Sequence, residues 1–409
     1  MKAFVSDLHI GAGDALDDFY LIDPDQPPEG RLIPRRSRIE RMHRQFSLFI
    51  EWLHDTATQR GVEPELILLG DIFDLLQIEP FEKPASSKID RIFTAHSPVF
   101  KALNSFAVKG GQVTYVAGNH DHPIFSSGLQ KTLIEHFPFL AAGDGPCVRT
   151  HYRDDTIGIY AEHGNQIDPF NRFDRFGDGK EMSLGSWIVI NLVNRFEARY
   201  PLIDNIQGTR ETIWYAVRHL TEVVSPEKRD RLLRTLEEKA GTHEQFLSHL
   251  TEQIWELFFK HGSSTLKTRF IELVRENESH LRTLLTPRTS LIACLASLVS
   301  PRSHPLRSFH KQQDRALVTW AKKVAGGRKG FTLGTVPKNV EFLITGHTHR
   351  RMKKTLGKIT YLNTGCWRPV AIPYGRNHFR LTQSLDVALL NESRGGEWTS
   401  RLISFEKEL

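Results

Sequence analysis

The 409-residue chain carries a formal charge of +6 and three scattered cysteines, Cys147, Cys294 and Cys366. That length supplies a buried core without staples, and odd, dispersed cysteines exclude a disulfide framework and a thiolate zinc site, which fits a reducing cytoplasm. No apolar run reaches the roughly 18 residues of a membrane span, and the first strand starts too near Met1 for a cleavable leader, so a soluble protein able to touch a membrane surface is expected.

In chain order, a strand at 4–5 runs into Ser6-Asp7-Leu8-His9, and 11–30, rich in Asp, Pro and Gly, reads as a loop beside a site. Residues 38–59 set Ile39, Met42, Phe46, Phe49, Ile50 and Leu53 at spacings of three and four, the pattern of a helix lying on a sheet. The run Leu66-Ile67-Leu68-Leu69 predicts a buried parallel strand that stops at Gly70-Asp71. Helical periodicity returns over 89–108, Gly110-Gly111 ends it, and 113–117 form the next strand. This β-α-β-α-β rhythm predicts an α/β layer with a parallel sheet.

After a further strand at 158–161 the rhythm breaks. Amphipathic segments at 187–200, 211–224, 228–240 and 244–259 predict an α-helical insertion over 168–339, which splits the chain into one domain (1–167 with 340–409) and a helical cap. Strands return at 340–345 and 358–362. Candidates at 385–390 and 398–405, joined by a polar turn, suggest a second sheet packed on the first. Between Pro287 and Lys338 the only acidic residue is Asp314, amid Arg302, Arg307, Lys311, Arg315, Lys322, Lys323 and other cations. That stretch reads either as a surface for an anionic partner or as a solvated helix face.

Five predicted strands end in ligand-type residues: Asp7-x-His9, Gly70-Asp71-x-x-Asp74, Gly118-Asn119-His120-Asp121, His163-Gly164 and Gly346-His347-x-His349. Singly each is weak; five in order at strand ends is a pattern chance rarely assembles. Imidazole, carboxylate and amide ligands without thiolate suit Mn, Fe or Zn. Two such cations about 3.5 to 4 Å apart clamp a phosphoryl group and generate hydroxide at neutral pH, provided a carboxylate bridges them.

On these motifs the chain resembles the calcineurin-like metallophosphoesterases, over the N-terminal part to His163 and again from Val340. The resemblance implies a four-layer α/β/β/α sandwich with two divalent metal ions, manganese first among them, at the strand ends. It implies that Asp7, His9, Asp71 and His349 bind one metal, and Asp71, Asn119, His163 and His347 the other. It further implies that His120 serves the leaving oxygen as general acid, oriented by Asp74. Asp121 reads as a turn residue. Arg350, which follows His349, and His122 and Asn165, shortly after Asn119 and His163, are candidate phosphate contacts. In layout the chain is similar to the UDP-2,3-diacylglucosamine diphosphatase-like subgroup, with a longer insertion and with His120 where that subgroup carries Arg.

The leading reading is a hydrolase of phosphate esters or anhydrides acting on a phosphorylated small molecule or a nucleotide- or lipid-linked substrate. A metal-dependent nuclease and a non-catalytic scaffold of the same fold are the alternatives. Nucleic-acid binding would need exposed aromatics among the basic residues, whereas those of the insertion fall at core spacing. The apolar run 291–299 beside the basic stretch reads as a core helix or as a lipid contact.

Overall fold

Alternation along the strands decides the layers. In the computed structural model the described residues are 1–14, 16–22, 36–78, 85–141, 146–168, 171–183, 185–186, 189–194, 205, 268, 308–327, 331–375, 378–393 and 395–405. The expected helices at 211–224, 228–240 and 244–259, the run 291–299, and most of 187–200 lie outside them. The described strands are β1 (Lys2–Val5), β2 (Glu65–Leu69), β3 (Gln112–Val116), β4 (Tyr152–Asp154), β5 (Ile159–Ala161), β6 (Phe342–Thr345), β7 (Met352–Leu356), β8 (Ile359–Asn363), β9 (Val370–Gly375), β10 (His378–Thr382), β11 (Asp386–Glu392) and β12 (Trp398–Ser404). The longer helices are α1 (Arg36–Gln59), α2 (Ala85–Ala95), α3 (Ser97–Val108), α4 (Ser127–His136) and α5 (Ser308–Ala325).

One five-stranded sheet has the order β12-β11-β1-β2-β3 and the other β4-β5-β6-β8-β7. In each, three parallel strands carry an antiparallel flank: β1, β2 and β3 beside β11, and β5, β6 and β8 between β4 and β7. Because successive side chains point to opposite faces, Ala3, Val5, Leu66 and Leu68 turn outward to Phe46, Phe49, Leu53 and Leu103 of α1 and α3. Phe4, Ile67 and Leu69 turn inward and meet Ile159, Ala161, Phe342 and Ile344 of the second sheet. Leu343 and Tyr361, on that sheet's far face, pack on Leu317, Trp320 and Ala321 of α5. The result is the expected order α/β/β/α, with three apolar seams. Each fully buried large side chain in them contributes about 1.5 to 3 kcal/mol.

Three local expectations change. The helix expected over 89–108 is two helices, α2 and α3, broken at His96 (φ −115°, ψ 28°) ahead of Pro98. Proline lacks the N–H that would continue the hydrogen-bond ladder and disfavours helical backbone before it. The terminal strands do not form the second sheet: β11 pairs antiparallel with β1 and carries β12 on its other edge, so they widen the first. Within the span expected to be the cap, α5 supplies the outer layer on the second sheet instead.

Candidate metal centre

The two sheets end side by side, and their chain continuations cross-brace. Past β1 and β2 the backbone extends a parallel ladder: the Asp7 N–H donates to Gly70 O (3.0 Å), His9 to Asp71 O (3.0 Å) and Asp74 to Ile10 O (3.1 Å). Past β5 and β6 the Gly346 N–H donates to His163 O (2.9 Å), and the Trp367 N–H donates to Asp7 O (3.2 Å), the latter bond tying the second sheet to the first. Gly70 (φ +86°) has no substitute, since a Cβ there would lie 2.4 Å from the His163 ring; one on Gly118 would lie 2.2 Å from Asp71 Oδ1.

Within this frame the expected ligands converge. Asp7, His9 and His349 form one group whose potential ligand atoms all lie within 4.8 Å, and Asp71, His163 and His347 form a second. The groups are contiguous: Asp7 Oδ1 is 3.2 Å from His349 Nε2 and 4.0 Å from His163 Nε2, which is itself 3.1 Å from Asp71 Oδ2. Among the described residues, the non-glycine positions with left-handed backbone are Asp7, His9, Asp71, His347 and His349, with φ between 48° and 74°. Such backbone costs roughly 1 to 2 kcal/mol per residue, and here it falls only on these candidates.

The residues fit a cation. Asp7 Oδ1, Asn119 Oδ1 and His163 Nε2 are buried with no well-aligned hydrogen bond among the described residues. Burying unpaired polar atoms costs about 1 to 3 kcal/mol each unless something satisfies them. The donors are oxygen and imidazole nitrogen, with no sulfur, as borderline divalent metals prefer. The rings are already aimed: His163 Nδ1 bonds Leu69 O (2.9 Å) and His9 Nδ1 bonds Asp74 Oδ2 (3.0 Å), which leaves each Nε2 for the cluster.

Electrostatics agree. Burial alone would push Asp7 up, but His163 and His349 hold it at about 2. Asp71 lies well below the usual carboxylate range, its burial outweighed by His163 and His120. Burial would lower His163, yet Asp71 and Asp7 raise it to about 10. Burial and the Arg368 charge take His9 down to about 4.

His120 stands beside this cluster. Its N–H donates to Asp71 Oδ1 (2.8 Å) and its Nδ1 meets Asp74 Oδ1 (3.0 Å). Burial works against its charge, but Asp74 and Asp71 raise it to about 9. Asp121 knits the turn, accepting from the Tyr115 hydroxyl (2.6 Å) and from the N–H groups of Gly118 (2.5 Å) and Ile72 (2.9 Å).

Each of the three candidate phosphate contacts has a neighbour within the protein. Arg350 is paired with Asp314 at 2.7 Å. His122 is 1% exposed and stacked on Phe173 at 4.0 Å, so packing encloses it. Asn165 is buried, its Nδ2 donating to Asn171 O (3.2 Å). Conversely, several residues at the site escape a sequence reading. Asp168 Oδ2 is 3.0 Å from His347 Nε2, Asn363 Nδ2 donates to Gly346 O (2.7 Å), and buried Arg368 pairs with Asp18 at 2.5 Å. Nothing in the sequence names the partner of Asp168.

A sandwich of two mixed sheets whose adjoining strand ends gather Asp, Asn and His side chains defines a metal-dependent hydrolase. A family model of the calcineurin-like phosphoesterases matches residues 3–351, and the chain belongs to that family. It is a metallophosphoesterase. A comparison with curated proteins returned no match.

Proposed function

We propose that the protein hydrolyses phosphate esters or anhydrides with two divalent cations, one held by Asp7, His9, Asp71 and His349 and the other by Asp71, Asn119, His163 and His347. The observation that carries this reading is the contiguity of the two ligand groups, because their six imidazole and carboxylate residues exceed the three or four that a zinc-like cation usually takes from protein. Bound there, Mn, Fe or Zn ions would supply Lewis acidity and an activated water. The chain's own part is proton handling and orientation. Asp74 fixes Nδ1 of His120, leaving its Nε2–H to protonate the departing oxygen.

The cap reading has support from two anchors. The Asn194 amide donates to Leu76 O (2.8 Å), beside the Asp74 turn, and the Asn205 amide donates to Asp18 Oδ1 (2.8 Å) and Pro369 O (3.2 Å). Asn194 and Asn205 are therefore tied to loops that flank the metal centre. With cations exposed at Arg315, Lys322, Lys323 and Lys354, this favours an anionic nucleotide- or lipid-linked substrate, as in diphosphate hydrolysis. The test is elemental analysis with turnover on the wild type and Asp71→Asn. Two metals per chain, lost along with activity in the variant, are expected; a variant that keeps two tightly held metals and normal turnover overturns the assignment.

A further inference from the structure

Three candidate ligand histidines share a pattern in which one ring nitrogen is engaged and the other left for the cluster. For His163 the engaging group is Leu69 O, for His9 it is Asp74, and for His347 it is Asp168, whose Oδ2 sits 3.0 Å from Nε2. A neutral imidazole has one N–H and one lone pair. If the N–H lies on Nε2 and points at a carboxylate, the lone pair of Nδ1 is what a cation receives. A carboxylate behind a ligating imidazole also raises its basicity and fixes its rotation.

Asp168 is built for that task. It is 5% exposed, and its Oδ2 also accepts from Asn171 Nδ2 (2.9 Å). Its backbone closes a turn, with its N–H donating to Asn165 O (3.2 Å) and its O accepting from the Asn171 N–H (3.1 Å). This turn begins at Gly164, directly after His163, so one short segment supplies a ligand to the second group and steers another. Asp168 and His347 are 179 positions apart in the chain.

We infer that Asp168 is a positioning residue for His347: it holds the ring in the tautomer that presents Nδ1 and thereby sets the affinity of one of the two cation positions. The inference rests on the two-cation reading above. It is tested by titrating metal-free protein with Mn²⁺ alone, followed by calorimetry and by the spin-coupled signature of paired Mn²⁺ ions. The wild type is expected to take two ions. Asp168→Ala should weaken one of the two affinities by about 10- to 100-fold, the usual scale for such partners, and should leave the other unchanged.

Asp168→Asn, which keeps a carbonyl acceptor, should recover part of that loss. Asn171→Ala, which removes a different bond of the same carboxylate, should titrate like the wild type. Removing Asp168 from a His347→Ala background should cost nothing further. Circular dichroism of each metal-free variant separates these effects from unfolding, and should Asp168→Ala fail to fold, Asp168→Asn carries the test. Wild type that binds a single ion would defeat the two-cation reading. Wild type with two ions and an Asp168→Ala variant of unchanged affinity, or an unchanged Asp168→Asn where Asp168→Ala does not fold, would defeat the role of Asp168 alone, as would equal weakening of both ions.

Discussion

Two buried clusters of histidine and aspartate lie in this molecule, and they are built to opposite rules. In the first, His43 Nε2 meets His96 Nδ1 (2.9 Å), and His96 Nε2 meets Asp17 Oδ2 (2.7 Å). The Asp17 carboxylate accepts further from the N–H groups of Gly13 (2.5 Å) and Phe19 (2.8 Å). One proton per contact satisfies the chain from end to end, and none of His43, His96 and Asp17 has left-handed backbone. In the second, at the strand ends, five of seven candidate ligands are in left-handed backbone and three ligand atoms are orphaned. Residue type is therefore a poor guide to a metal centre. Unmet valence on a strained frame is the better one.

The comparison breaks most visibly at His120. His120→Ala should lower turnover by about 10²- to 10⁴-fold with both metals retained, and the loss should shrink for p-nitrophenyl esters, whose leaving oxygen needs no proton. Equal losses for activated and alkyl esters would remove the general-acid role. At the other cluster, Asp17→Ala should leave metal stoichiometry intact while chemical denaturation reads a loss of about 2 to 4 kcal/mol, from buried donors left without their acceptor. Loss of metal in that variant would mean that the two clusters are not separate.

The smallest effect is in pH. Burial, and then the neighbouring His96, press His43 down to about 4, below the roughly 6.5 of an unfolded chain. As pH falls, the unfolded chain takes up that proton first. The stabilisation is therefore complete above about pH 6.5 and is lost between there and about pH 4. His43→Gln, which keeps a donor toward His96, should flatten the decline in thermal midpoint between pH 6.5 and 4.5. A variant as acid-sensitive as the wild type would place the titration elsewhere.

Much of this site is legible in the sequence because its ligands follow apolar strand runs, and a parallel sheet brings such ends together. Asp7, Asp71, Asn119, His163 and His347 could be read from that alone. Asp168, Asn363 and Arg368 could not, since each acts through a partner fixed only by tertiary packing. The terminal pair β11 and β12 misleads for a related reason: a hairpin's pattern specifies that two strands pair with each other, not which sheet receives them. For His122, a place in the chain shortly after Asn119 says nothing about the Phe173 ring stacked on it.

His9 and His349 meet at 3.2 Å across 340 positions of sequence. At about 5 to 20 residues per second of synthesis, roughly 20 to 70 seconds separate their appearance at the ribosome. Through that interval the nascent chain carries Asp7, Asp71 and Asn119 without the closing imidazoles, a half-built chelate with carboxylates facing water. Ligation by the full set of these side chains is therefore possible only after His349 has emerged.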